Sequence, residues 1–179
     1  MLQICGSPEW ASPNSGNQAR SREEPSVTIW ADGDALPATA RDLLFRAAQR
    51  LGVSLVMVAN KPLRVPDSPY LSTVLVEAGA DVADHWIVER AEPGDLVVTA
   101  DIPLASRVVT KGAEALDPRG SSYTEQNVRE RLALRDLMAD LRGADMITGG
   151  GPPPYTKKDA QRFANALNGF LNRPTKKAT

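Results

Sequence analysis

Val27-Thr-Ile-Trp-Ala-Asp-Gly-Asp-Ala-Leu-Pro37 decides the fold of this chain. Its first half, rich in β-branched and aromatic residues, predicts a buried strand from about residue 27 to 31. Asp32 and Asp34 interrupt that strand, and Pro37 suits the first turn of a helix, because its missing N–H would have no intrahelical partner there. Ligands of open α/β sheets bind beyond the carboxyl ends of the strands. Two acids at this position therefore indicate a site.

The order found at residues 27–37 is repeated at residues 96–111: a strand is followed by an acid, a proline and a helix. Residues 96–99 predict a strand, Asp101 follows it, and Pro103 lies in the first turn of the next helix. The carboxyl ends of parallel strands share one edge of a sheet, so the two units bring Asp32, Asp34 and Asp101 together. Asn60 reaches the same edge, because it follows a nearly continuous apolar strand at 53–59.

The remaining pattern alternates helices with strands. Helical spacing predicts helices at about 39–51, 83–91, 102–111, 125–142 and from 157 onward, and strands are also expected at 72–77 and 113–116, with a loop at 61–69 and a turn at 117–122. The helix at 125–142 is expected to bury an apolar stripe formed by Val128, Leu132, Leu134, Leu137, Met138 and Leu141. The alternation predicts a three-layer α/β/α fold around a central, mainly parallel sheet.

Length and composition indicate one ordinary globular domain. Of the 179 residues, 42% are apolar and 24% are charged. The domain is expected at residues 27–173, between a disordered N-terminal tail at 1–26 and a flexible C-terminus at 174–179. The sequence has no apolar run long enough to span a membrane and no secretory leader, so we expect a cytoplasmic protein.

Counts of charged and metal-binding residues narrow the possible functions. The single cysteine, Cys5, and the single histidine, His85, exclude cysteine-rich and multi-histidine metal sites. Any metal must therefore be held mainly by oxygen, which favours Mg²⁺, Mn²⁺ or Ca²⁺. The formal net charge of −1 argues against a protein that coats nucleic acid by charge alone.

The converging aspartates predict cation chemistry. Two carboxylates about 4 Å apart repel each other by roughly 4 kcal/mol at an effective dielectric constant of 20, so a cluster of ionised aspartates needs a cation. Mg²⁺ or Mn²⁺ there can activate water and stabilise the charge on a phosphodiester, which is nuclease chemistry. Each acid taken singly has an alternative interpretation as a helix N-cap. Asp84 is either a surface residue at a helix start or a fourth acid.

Several polar residues near this edge are candidates for substrate contact. Asn60, Thr99 and Arg119 could position a phosphate, and Lys61 and Arg64 lie in the loop after Asn60. A solvated loop is the alternative interpretation for Arg119. Asp95, which precedes its strand, reads as a plain turn residue, and His85 reads as a helix residue rather than a catalytic base.

A family resemblance rests on many motifs in order across about residues 27–171. They are Ile29-Trp-Ala-Asp-Gly-Asp-Ala-Leu-Pro37, Val58-Ala-Asn60, Leu63-Arg-Val-Pro66, Ala83-Asp84, Gly94-Asp-Leu-Val-Val-Thr-Ala-Asp-Ile-Pro-Leu-Ala105, Asp117-Pro-Arg-Gly120, Arg129-Glu-Arg-Leu132 and Thr148-Gly-Gly150. In these motifs the chain resembles the YaiI/YqxD family of bacterial proteins, which is grouped with PIN-like domains whose relatives include metal-dependent ribonucleases.

This resemblance implies a PIN-like fold, Mg²⁺ or Mn²⁺ at acids matching Asp32, Asp34, Asp84 and Asp101, and RNA as a partner. The chain departs from the usual family pattern at Gly33, where alanine is common, and at Leu36, where cysteine is common. The four carboxylates are kept.

Two alternative functions stay open. One is a binding protein that holds RNA or another protein at the acidic pocket without turnover. The other is a haloacid-dehalogenase-like phosphatase, in which the first acid of Asp-x-Asp would be a nucleophile. That fold needs a further acid after a later strand, whereas Asp95 precedes residues 96–99. The oligomeric state is left open.

Overall fold

The computed structural model describes residues 27–79, 81–143 and 153–173. Helices and strands alternate along most of the chain, as β1 Thr28–Asp32, α1 Ala38–Leu51, β2 Ser54–Ala59, β3 Leu71–Leu75, α2 Val82–Arg90, β4 Leu96–Val98, α3 Ile102–Thr110, β5 Glu114–Leu116, β6 Ser122–Tyr123, α4 Glu125–Gly143 and α5 Lys157–Leu171. The expected termini at 1–26 and 174–179 lie outside the described residues.

The six strands form one sheet in the order β3-β2-β1-β4-β5-β6. The first five are parallel, and β6 pairs antiparallel with β5. After β1 the chain builds the sheet outward through β2 and β3, and then crosses to β4 on the other side of β1. The strand order therefore reverses between β1 and β4, which is the place where open α/β sheets bind ligands.

Helices cover both faces of the sheet and make two hydrophobic cores. On one face, Leu44 of α1 and Phe163 of α5 pack with strand residues such as Ile29. On the other face, Ile87 of α2 and Leu104 of α3 pack, together with residues of α4, against alternate strand positions. Strand side chains point to opposite faces in turn, so each strand supplies both cores. The fold is the expected three-layer α/β/α arrangement with a mostly parallel sheet.

Local signals explain most helix ends. Gly52 ends α1 in the left-handed conformation at φ 66°, where glycine has no Cβ penalty. The Asp101 side chain caps α3 by accepting from Leu104 N, and Pro103 follows in the first turn. Thr156 opens α5 with a capping box, in which Thr156 and Asp159 satisfy each other's backbone N–H groups.

Two features differ from the sequence prediction. The expected turn at 117–122 leads into β6, whose two residues are too short to produce a period-two pattern. Helix α4 does not bury its whole apolar stripe: Val128 is 2% exposed, whereas the leucines at 134 and 137 and Met138 are 41–54% exposed. Val128 and Leu132 share one helix face, and the later apolar residues lie on the opposite side because of the 3.6-residue period.

In the described part of the chain, no helix combines the length and the apolar character that crossing a bilayer requires.

Candidate functional site

Four aspartates gather at the carboxyl edge of the sheet, beside the point where the strand order reverses. Asp32 is the last residue of β1, and Asp34 lies in the turn that follows it. Asp101 is the N-cap of α3, three residues after the end of β4. Asp84 lies in the first turn of α2. These four residues are called the acid cluster below.

Asp32 is buried, with 8% of its surface exposed. Strand alternation directs it to the same face as Trp30, which is the face covered by α2 and α3. Burial raises the pKa of the Asp32 carboxyl, and the negative charges of Asp34 and Asp101 raise it further, against the lowering effect of backbone N–H groups at Ala35 and Asp34. The Asp32 carboxyl is therefore close enough to two other acids of the cluster for their charges to change its pKa.

Asp84 shows the closest coupling to another acid. Burial is the largest cause that raises its pKa to about 6, followed by the negative charges of Asp101, Asp32 and Asp81 and by the close approach of its side chain to that of Asp101. Of the two interpretations left open for Asp84, the structure thus places it among the acids.

Two members of the cluster also hold the backbone in place. The Asp34 carboxylate accepts a hydrogen bond of 2.7 Å from the backbone N–H of Asn60, which ties the ends of β1 and β2 together. The Asp101 carboxylate accepts from Leu104 N at 3.0 Å, and Asp101 N donates to the hydroxyl of buried Thr99 at 2.9 Å. Asp101 is therefore both an N-cap and a member of the cluster.

The cluster is not arranged as a ready-made metal chelate. Among the described residues, no group of three or more acidic, histidine or cysteine side chains is placed so that it could hold a metal ion. Asp34 and Asp101 each give one oxygen to a backbone N–H. The donor chemistry, all carboxylate oxygen, is nevertheless the kind that Mg²⁺ and Mn²⁺ prefer.

The loop after β2 lies directly against the turn that carries two of these acids. A Cβ atom added to Gly33 would clash with Leu63 Cδ1, so the Leu63 side chain occupies the space next to Gly33. Lys61 and Arg64, on either side of Leu63, are exposed. Lys61 and Arg64 therefore belong to the loop that packs on the turn between Asp32 and Asp34.

Two of the predicted substrate residues are not placed for substrate contact: Thr99 is fully buried, and Arg119 is held by partners away from the acid cluster. Its guanidinium donates to Asp159 at 2.9 Å and to the carbonyl oxygen of Pro153, and it lies 5.8 Å from the centre of the Tyr155 ring. The Tyr155 hydroxyl donates to the carbonyl of Pro118 at 2.8 Å. These contacts attach the turn after β5 to the start of α5, and they do not bring Arg119 to the acid cluster.

Sequence reasoning missed the role of Asp95, which was expected to be a plain turn residue. Its buried carboxylate accepts from Thr28 N at 2.9 Å, from the Trp30 indole N–H at 2.9 Å and from Glu92 N at 3.0 Å. The Trp30 ring packs edge-to-face on Trp86 with centroids 5.6 Å apart. Asp95 therefore fixes β1 against the turn before β4, at the end of the sheet opposite the acid cluster.

His85 also gains a partner that its sequence position did not suggest. Its Nδ1 accepts from the guanidinium of Arg107 on α3 at 2.9 Å, which leaves the proton of the neutral ring on Nε2. His85 follows Asp84 directly on α2, and this contact ties α2 to α3.

Two grooves of about 360 and 310 Å³ lie elsewhere, between α1 and α5. They share a floor and rim formed by Leu43, Arg46 and Ala164. No member of the acid cluster lines either groove.

Comparisons with known proteins agree with the motifs. The family model described as "Uncharacterized BCR, YaiI/YqxD family" matches residues 30–173. A UPF0178 protein of Solidesulfovibrio magneticus is 54% identical over 149 residues, which cover 83% of this chain and 99% of the relative. A UPF0178 protein of Geobacter sulfurreducens is 52% identical over 147 residues, 82% of this chain and 97% of the relative. No solved structure matches the chain. The chain belongs to the YaiI/YqxD family.

Proposed function

We propose that this protein is a Mg²⁺- or Mn²⁺-dependent phosphodiesterase that cleaves RNA at the acid cluster. The single observation that carries the proposal is the gathering of four carboxylates from three segments of the chain at the carboxyl edge of β1 and β4. Such a position is where open α/β sheets bind ligands, because the adjacent crossovers diverge there and leave a crevice.

The charge of the cluster supports a cation as its natural occupant. The pKa of Asp84 is raised to about 6, and burial and the neighbouring acids are the causes. At neutral pH the acid cluster therefore carries concentrated negative charge. None of the salt bridges among the described residues involves a member of the cluster. A divalent ion relieves this repulsion more strongly than a proton does.

Each member of the acid cluster has a proposed role in holding the ion. Asp32, Asp84 and Asp101 supply the carboxylate oxygens that would hold the ion, and Asp34 completes the set with the oxygen that does not bond Asn60. When bound, the ion would lower the pKa of a coordinated water and neutralise charge on the phosphodiester. Thr99 keeps the turn that carries Asp101 in place through its hydroxyl.

Lys61 and Arg64 support a polyanion as the substrate. Both are exposed in the loop that packs on Gly33 through Leu63, next to two of the acids. Cations beside an acidic, metal-holding edge provide contacts to the phosphates that flank the scissile one. The exposed amide of Asn60 lies at the same edge and can donate to a phosphate or a base.

The proposal is tested by incubating the purified protein with a mixed-sequence single-stranded RNA in Mn²⁺, in Mg²⁺ and in a chelator. We expect cleavage that requires the metal. Asp32→Asn and Asp101→Asn should each lower the rate by about a hundredfold or more, because each removes charge that holds the ion. Asparagine still caps a helix, so Asp101→Asn keeps α3 intact.

Asp136→Asn, an equivalent change at an exposed position of α4, serves as the matched control and should keep the full rate. Full metal-dependent cleavage by Asp32→Asn and Asp101→Asn would reject the catalytic role of the cluster. RNA binding in Mn²⁺ without any cleavage over a long incubation would favour the non-catalytic binding protein instead.

A further inference from the structure

Strand β3 forms an outer edge of the sheet and has β2 as its only neighbouring strand among the described residues. Leu55 N donates to Tyr70 O at 2.8 Å, and Val76 N donates to Ala59 O at 2.9 Å. Main-chain groups alternate in direction along a strand, so the even-numbered residues from 70 to 76 face β2. The N–H and C=O groups of Thr73 and Leu75 therefore point away from the sheet.

This edge lacks the features by which proteins usually prevent strand pairing. Residues 71–76, Leu-Ser-Thr-Val-Leu-Val, contain no lysine, no proline and no charge. Leu75 is 64% exposed, the highest value among the large apolar residues that the structure describes, and Tyr70 just before the strand is 40% exposed. An uncharged edge with an exposed leucine is a surface that pairs with another strand.

We propose that β3 pairs antiparallel with β3 of a second copy of this chain, about a two-fold axis at Thr73. In this register Thr73 lies opposite its own copy, and Leu75 lies opposite Leu71 of the second copy. Each Thr73 N–H donates to the other Thr73 carbonyl, and each Leu75 N–H donates to a Leu71 carbonyl. Leu71 N–H already donates to Ser68 O at 3.2 Å and is therefore not counted as a donor across the interface. The two kinds of bond described above each occur twice by symmetry, so the two copies share four hydrogen bonds.

The sequence of the edge favours a second copy over an unrelated strand. The two-fold register sets threonine against threonine and leucine against leucine on one face, and Ser72 against Val74 on the other. The absence of charge from residue 71 to 76 means that the copies meet without like-charge repulsion. The pairing would join two sheets into one continuous sheet and cover Leu75.

Sedimentation equilibrium on the full chain tests the proposal. We expect a reversible dimer, and Leu75→Lys should raise its dissociation constant by about tenfold or more, since it places two ammonium groups in the interface. Leu134→Lys is the matched control, because Leu134 on α4 is 54% exposed and lies outside the edge. It should leave the dissociation constant unchanged. A wild-type chain that stays monomeric at millimolar concentration, or a dimer that only Leu134→Lys dissociates, would overturn the proposal.

Cross-linking tests the register itself. Directly opposite residues of a hydrogen-bonded antiparallel pair have Cα atoms about 5.5 Å apart, which a disulfide can bridge. In a Cys5→Ser background, Thr73→Cys should form an intermolecular disulfide on mild oxidation, whereas Thr124→Cys, at an exposed position before α4, should not. Equal cross-linking of the two variants would rule out the two-fold axis at Thr73.

Discussion

The ionised side chain of Asp84, a member of the acid cluster, lowers the free energy of unfolding of the protein. Its pKa rises from 3.8 to about 6 on folding, because the carboxyl is partly buried and faces Asp101 and Asp32. The folded protein therefore binds a proton more tightly than the unfolded chain does. The free energy of unfolding falls as the pH rises between these two values, and the loss is complete above the higher one.

Asp84→Asn should remove this loss. Without metal, we expect the variant to exceed the wild type in free energy of unfolding by on the order of 1 kcal/mol at about pH 8, after allowance for the partial exposure of the side chain. Near pH 4 the two proteins should be alike, because wild-type Asp84 is then protonated when folded. Denaturant unfolding at both pH values measures the difference. A gain of equal size at both would show that the charge of Asp84 is not its cause.

Asp95 makes the opposite contribution, because its carboxylate supports the fold and lies away from the acid cluster. It accepts from two backbone N–H groups and from the Trp30 indole. Asp95→Asn turns one acceptor oxygen into a donor that faces other donors, so we expect a loss of on the order of 2–3 kcal/mol in the free energy of unfolding.

Tryptophan fluorescence during urea unfolding measures this change, since Trp30 reports directly on the contact. Asp136→Asn on the surface of α4 should change the midpoint little. Equal stability of Asp95→Asn and the wild type would show that these hydrogen bonds add nothing to the fold.

At the scale of single elements, local signals in the sequence predicted most of the structure. The alternation of apolar residues, the proline after Asp101 and the capping box at Thr156 each place a strand or helix end where the structure has it. Strand β6 was not predicted, because two residues are too few to show a periodic pattern. The predicted buried stripe of α4 was too long. Residue spacing shows which side chains share a helix face, but it does not show how much of that face is covered by the rest of the chain.

The start of α5 offers a test of one such signal. Thr156→Ala removes the side chain that accepts from Asp159 N and donates to the Asp159 carboxylate, so we expect a loss of about 1 kcal/mol in the free energy of unfolding. Thermal unfolding followed by circular dichroism measures it. Thr156→Ser, which keeps the hydroxyl, should retain most of the stability, and equal losses for both variants would contradict the capping role.

Arg119 shows why residue type and position in the sequence are not sufficient to assign a substrate contact. From the sequence, an arginine in a glycine-containing turn could either contact a phosphate or lie in a solvated loop. Its partners Asp159 and Pro153 lie far along the chain, and nothing in the local sequence indicates them. The long-range contacts of Asp95 with Thr28 and Trp30 were hidden for the same reason.

At the scale of the whole molecule, the topology explains why the acids meet. The crossover from β3 to β4 places β4 beside β1, so the turns after these two strands face each other at one edge. Sequence patterns predicted a shared edge for Asp32, Asp34 and Asp101, because parallel strands end together. The close approach of Asp84 to Asp101 could not be predicted, since it depends on how α2 packs against α3.

Binding of Mn²⁺, followed by isothermal titration calorimetry at neutral pH, tests the central claim most directly. We expect saturable binding to the wild type and to Asp136→Asn, and at least about tenfold weaker binding to Asp32→Asn and to Asp101→Asn. Circular dichroism of each variant should show that the fold is kept. Wild-type protein that binds no Mn²⁺, or binding that both cluster variants retain at full strength, would contradict the account.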